Sequence, residues 1–75
     1  MRRVPLTSSM MASAGYDETT GVLEFEFVTG AVYQYVDVPL HLYRSLLDAP
    51  SQGRFFHGRI RDVFRCQHVA PFSAQ

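Results

Sequence analysis

The side chains able to do chemistry gather in one stretch. Between Ser51 and His68 stand Arg54, Arg59, Arg61 and Arg65, with His57 and His68 among them and Asp62 the sole acid. A guanidinium presents a fixed fork of donors that suits phosphate or carboxylate. If the stretch is helical, roughly 100° per residue brings Arg54, His57, Arg61, Arg65 and His68 into one sector of about 80°. A basic stripe of this kind is an electrostatic footprint for phosphates. The plainer alternative is a solvated helix face whose arginines pair with Glu24, Glu26 or Asp62. Arg59 adds charge outside the stripe. Tyr33 and Tyr35, separated by Gln34, are a second pair of candidates. Aromatics at alternating strand positions can stack unpaired bases, and the competing role is to line a core.

Covalent and metal chemistry find less footing. Cys66 is the single cysteine, so there is neither a disulfide framework nor a thiol zinc site. Two residues apart on a helix, Cys66 and His68 would point to different sides, which makes Cys66 a half-buried thiol. His41 and His57 fall on separate helices, with no carboxylate placed to orient either. There is no P-loop, dinucleotide fingerprint or metal-ligand spacing, so no cofactor and no metal are expected. A metal-independent ribonuclease built from His57, Arg61 and a tyrosine ranks last, and the chain is expected not to be an enzyme.

The formal net charge is zero, but it is unevenly spread. Asp17, Glu18, Glu24, Glu26, Asp37 and Asp48 face only Arg44 between Tyr16 and Asp48, while the arginine-rich stretch opposes Asp62 alone. All 7 basic residues are Arg. Residues 1–15 lack the apolar run of a signal peptide, and no segment approaches the roughly 20 apolar residues of a membrane span. A cytoplasmic setting without membrane contact is the expectation.

The elements that must position these groups follow from periodicity. Leu23, Phe25 and Phe27 alternate with Glu24 and Glu26, and Val22 to Val38 reads as a hairpin turning at Thr29-Gly30. A two-residue loop would set Glu24 and Glu26 against the tyrosines. A three-residue loop with Gly30 left-handed pairs Phe25 with Tyr33, Leu23 with Tyr35 and Glu24 with Gln34. The second register matches like with like and turns both tyrosines toward the core. Met10 to Tyr16 supplies a weaker first strand, with a bulge suggested at Gly15. Pro39 suits a first helical position, and Leu42, Tyr43, Leu46 and Leu47 form the apolar stripe of a helix ending near Asp48. Ser51 is an N-cap for a second helix reaching about Phe64, with Phe56, Ile60, Val63 and Phe64 inward. Gly53 and Gly58 each cost that helix about 1 kcal/mol relative to alanine, which points to close packing or close approach of another group.

The order of these features resembles the KTSC domain, a small module named for the C-terminus of certain lysyl-tRNA synthetases. The resemblance rests on Ser8-Ser9, Gly15-Tyr16-Asp17, Leu23, Phe25, Phe27, Gly30, Tyr33-Gln34-Tyr35 and Val38-Pro39. It continues through Tyr43, Ala49, Ser51-x-Gly53, Phe55-Phe56, Ile60 and Arg61. Departures fall at His57, Phe64 and Ala14. The resemblance implies a bacterial protein of this family, with RNA binding suggested by the synthetase association.

The expected fold is α+β: a three-stranded antiparallel meander, with room for a fourth short strand near Val69 to Phe72, packed on one face by two helices. Residues 1–6 are expected as a flexible arm, 7–70 as one domain and 71–75 as a tail. The expected function is non-catalytic binding of RNA through Arg54, His57, Arg59, Arg61 and Arg65, weak and salt-sensitive, with Tyr33 and Tyr35 as aromatic contacts. A protein-interaction module is the alternative. It would set the arginines against an acidic partner, or Glu24 and Glu26 against a basic one.

Overall fold

The computed structural model describes residues 2–69. Its strands are β1 (Arg3–Pro5), β2 (Met11–Asp17), β3 (Val22–Phe27), β4 (Val32–Tyr35) and β5 (Cys66–Val69). Helix α1 covers Leu40–Asp48, and a second helical segment starts as α2 (Gln52–Phe55) and continues as a π-helical turn over Phe56–Ile60. The strands form one five-stranded sheet in the order β1-β2-β3-β4-β5, and every neighbouring pair is antiparallel.

The α+β class is as expected, but the sheet has two more strands than the three-stranded meander. Arg3–Pro5 lies in the segment expected as an arm, yet it pairs with β2 through Arg3 and Gly15. The last strand begins at Cys66, earlier than Val69, and residues 70–75 lie outside the described part of the chain. The central hairpin takes the three-residue register, with Leu23 opposite Tyr35, Glu24 opposite Gln34 and Phe25 opposite Tyr33. Gly30, at φ 96°, supplies the left-handed residue of that turn. The bulge of β2 falls between Met11 and Ser13, not at Gly15.

Alternation along the strands divides the sheet into two faces. The inner one carries Ala14, Leu23, Phe25 and Tyr35, which pack with Met11, Val38, Leu42, Leu46, Phe56 and Ile60 in the core. Leu42 and Leu46 bring α1 onto this face. Stacking of Tyr16 on Tyr43, with ring centroids 5.2 Å apart, holds its outer edge. The Tyr16 hydroxyl donates to the Val38 carbonyl and anchors the chain just before Pro39. Pro39 itself is extended and stands before the first helical residue. Ala49, also extended, ends α1 because the residue before a proline disfavours the helical region.

The outer face is a polar ladder. Arg3 Nε donates to Glu24 Oε2 at 2.8 Å, Gln34 Nε2 to Glu24 Oε1 at 2.8 Å, and Gln67 Nε2 to Gln34 Oε1 at 2.8 Å. Arg3 also reaches Glu26, so the acids are neutralised by β1 and not by the arginine-rich stretch.

Ser51 caps α2 as expected, its Oγ accepting from the Arg54 amide at 3.3 Å. The helix does not reach Phe64. The Arg61 amide bonds the Phe56 carbonyl at 2.8 Å, an i→i+5 closure, and Arg61 is extended at ψ 133°. Asp62 follows at φ 65°. Ile60 is therefore the last core residue of the segment, and Val63, expected inward, is 61% exposed.

Candidate functional site

Early termination of the second helical segment leaves the β4–β5 end of the inner face only partly covered, with Phe27 and Tyr33 half-buried. A cavity of about 520 Å³ opens there. Phe27, Tyr33, Tyr35 and Phe56 supply aromatic wall, Phe64 and Cys66 border it, and Arg61 and Asp62 bring opposite charges to it. The volume falls within the roughly 300–1,000 Å³ usual for small-molecule sites.

The walls are held by an aromatic cluster centred on Phe56, which is 3% exposed. Its ring lies 5.0 Å from Phe25, 5.8 Å from Phe27 and 5.6 Å from Tyr35, all in edge-to-face geometry. Phe27 meets Tyr33 edge-on at 5.7 Å. Tyr33 is only partly buried and lies 4.7 Å from the His68 ring. Core packing and cavity lining are thus combined in the two tyrosines, Tyr35 within the core and Tyr33 partly buried against it. Both face inward, and both border the cavity because the helical cover stops short. Burial and then the neighbouring Cys66 thiol push the pKa of the Tyr35 hydroxyl up, so it remains a neutral donor at physiological pH.

The structure rearranges the basic stripe. Arg61 Nη1 donates to His57 Nδ1 at 3.3 Å, so these two candidates meet, although only Arg61 borders the cavity. Arg59 lies over the Phe55 ring at 5.5 Å, and Arg54 is exposed on α2. Arg65 is not helical: it immediately precedes β5, and its carbonyl accepts from the Val36 amide at 3.0 Å. One continuous helical stripe from Arg54 to Arg65 does not form, because helical phase is lost after Ile60. Among the described residues, the ion pairs are those of Arg3 with Glu24 and Glu26. The plainer alternative, pairing of the helix arginines with Glu24, Glu26 or Asp62, does not occur among the described residues.

Cys66 and His68 correct a second expectation. On β5 the two share a face, opposite Tyr35 and Tyr33 respectively, and Cys66 is exposed instead of half-buried. The two-residue spacing that would separate them on a helix puts them on one face of a strand. Asp62 and Phe27 were not among the expected site residues; a positive φ and a partly covered sheet end leave no mark of their own in the sequence. Among the described residues, no three His, Cys, Asp or Glu side chains stand together where they could hold a metal ion. Also among these residues, no helix is long and apolar enough to cross a membrane.

Comparison with known proteins places this geometry in a family. The KTSC domain model matches residues 7–64. The chain belongs to the KTSC domain family. A crystal structure of a KTSC domain protein from Yersinia pestis superposes with a TM-score of 0.87 at 38% identity, covering 91% of this chain and 96% of that one. An uncharacterised protein of Stutzerimonas stutzeri is 46% identical over 68 residues, 91% of this chain and 90% of its own. A lysine–tRNA ligase of Trichormus variabilis is 40% identical over 55 residues, which are 73% of this KTSC chain but 10% of the ligase.

Proposed function

We propose that this KTSC domain is a non-catalytic RNA-binding module that takes single-stranded RNA at the β4–β5 end of its sheet. The observation that carries the reading is the meeting of aromatic walls with the exposed guanidinium of Arg61 at one cavity. Aromatic faces stack on any base, at about 1–3 kcal/mol per base, and arginines follow the phosphates. Arg54, Arg59 and Arg65 have no carboxylate partner among the described residues, so their charge is available to a polyanion. Similarity to a segment of a protein named as a lysine–tRNA ligase supports an RNA ligand in particular.

One form of the protein-partner reading has less support than the other. Glu24 and Glu26 are held by Arg3, which weakens the outer face as a dock for a basic partner. An acidic partner on the arginines remains the competing outcome. Amide-shift mapping with a mixed-sequence single-stranded RNA decamer at low salt separates the two. Shifts concentrated at Tyr33, Tyr35, Arg61 and Cys66 are the expected result. Absence of shifts at millimolar RNA contradicts the RNA reading and leaves the acidic protein partner.

A further inference from the structure

The cavity also carries information about which base it would hold, an inference that rests on the RNA reading above. Its aromatic walls cannot discriminate, since every base has a π-face. Discrimination must come from the polar groups that reach the cavity, and two of opposite character stand next to each other. Arg61 offers several N–H donors and no acceptor, and using Nη1 for His57 leaves its remaining donors free. Asp62 offers carboxylate oxygens as acceptors. Both border the same cavity, and Asp62 forms no ion pair among the described residues.

Each base can be tested against this pair. A carboxylate accepts two parallel N–H bonds only where two donors lie side by side. Guanine presents N1–H and N2–H₂ in that arrangement. Adenine and cytosine each set a single amino group beside a ring-nitrogen acceptor, which would face the carboxylate lone pairs. Uracil sets N3–H between two carbonyl oxygens. A guanidinium, in turn, matches two adjacent acceptors, and guanine O6 and N7 are its most common specific partner. Guanine alone therefore satisfies both groups.

We infer that the cavity selects guanine, with Asp62 accepting from N1–H and N2–H₂ and Arg61 donating toward O6 and N7. The backbone helps to keep this testable. Asp62 sits at φ 65°, a conformation that asparagine tolerates about as well as aspartate, so Asp62→Asn removes the charge without a backbone penalty.

The test is fluorescence anisotropy of the whole chain with labelled uridine hexanucleotides carrying one central G, A, C or inosine. The G-containing oligonucleotide is expected to bind at least about tenfold tighter than those with A or C, a ratio equivalent to one good bidentate pair. Inosine, which lacks the N2 amino group, should fall between them. Asp62→Asn should abolish the preference for G over A and C. Equal affinity for all central bases, or a G preference that survives Asp62→Asn, overturns the guanine inference and leaves RNA binding intact. Failure of every oligonucleotide to bind at low salt overturns both.

Discussion

Arg61 Nη1 donates to His57 Nδ1 over 3.3 Å, across the turn where the second helical segment ends. The i→i+5 closure from Arg61 back to Phe56 brings these residues together, so the hydrogen bond depends on how the segment stops. The same stop uncovers the aromatic cavity. Because arginine always donates, His57 Nδ1 is the acceptor of this bond.

Arg61→Ala is expected to weaken RNA binding more than Arg54→Ala, since Arg61 alone of these arginines borders the cavity. Both are surface changes and should shift folding stability by no more than about 0.5 kcal/mol. Anisotropy titrations beside urea unfolding check the pair. Equal losses for the two variants would remove the cavity's special role.

Phe56→Ala should destabilise the fold by about 3–5 kcal/mol. Phe56 contacts Phe25, Phe27 and Tyr35 at once, and total stability for 75 residues is on the order of 4–11 kcal/mol. Urea unfolding should find the variant marginal or unfolded. A loss below about 1 kcal/mol would mean that the aromatic cluster is not packed as described.

The glycines give opposite expectations. A Cβ on Gly58 meets nothing within 4 Å, and one on Gly53 reaches only Ser8 Oγ at 3.6 Å. Close packing therefore does not require either. Gly58→Ala should be neutral or stabilise by up to about 1 kcal/mol. Gly30→Ala, at φ 96°, should cost about 1 kcal/mol through strain in the hairpin turn. Thermal unfolding of both variants tests the contrast.

Stability should decline at both ends of the pH scale. Burial alone would raise the Glu24 carboxyl, but the Gln34 amide and the Arg3 guanidinium outweigh it and hold its pKa below the ordinary value. Its stabilisation is then present above the unfolded pKa of about 4.3 and is lost as pH falls through the lower folded value. Glu24→Gln should flatten the acid limb. Burial raises the pKa of Tyr16, Tyr35 and Tyr43, with the charges of Glu18 and Asp17 adding at Tyr16 and the Cys66 thiol at Tyr35. That contribution is complete below about pH 10 and is lost as pH rises through the folded values. Urea midpoints from pH 3 to 11 measure both limbs.

Much of the fold was legible in the sequence because local rules agreed with one another. Matching Glu24 with Gln34 and Phe25 with Tyr33 identified the hairpin register, and Ser51 and Pro50 marked the boundary between the helical segments. The outer strands were obscure for physical reasons. Arg3–Pro5 is three residues long and exposed throughout, so it has no alternating apolar pattern. Cys66–Val69 followed a stretch whose apolar spacing still fitted a helix, and nothing in residue type reveals that Phe56–Ile60 winds as a π-turn. The site was legible in part. Arg61, Tyr33 and Tyr35 border one cavity and His57 contacts Arg61, while Asp62 and the cavity depend on where the helix ends.

RNA binding through the arginines is measured by affinity as a function of salt, for the wild-type chain and for an Arg54/Arg61/Arg65 triple alanine variant. With about three phosphate contacts on a single strand, log affinity should fall against log salt with a slope near −2, more than about tenfold between 50 and 200 mM. The triple variant should lose both the affinity and the slope. Binding that is absent at low salt, or that is insensitive to salt and unchanged in the variant, would contradict RNA binding through these arginines.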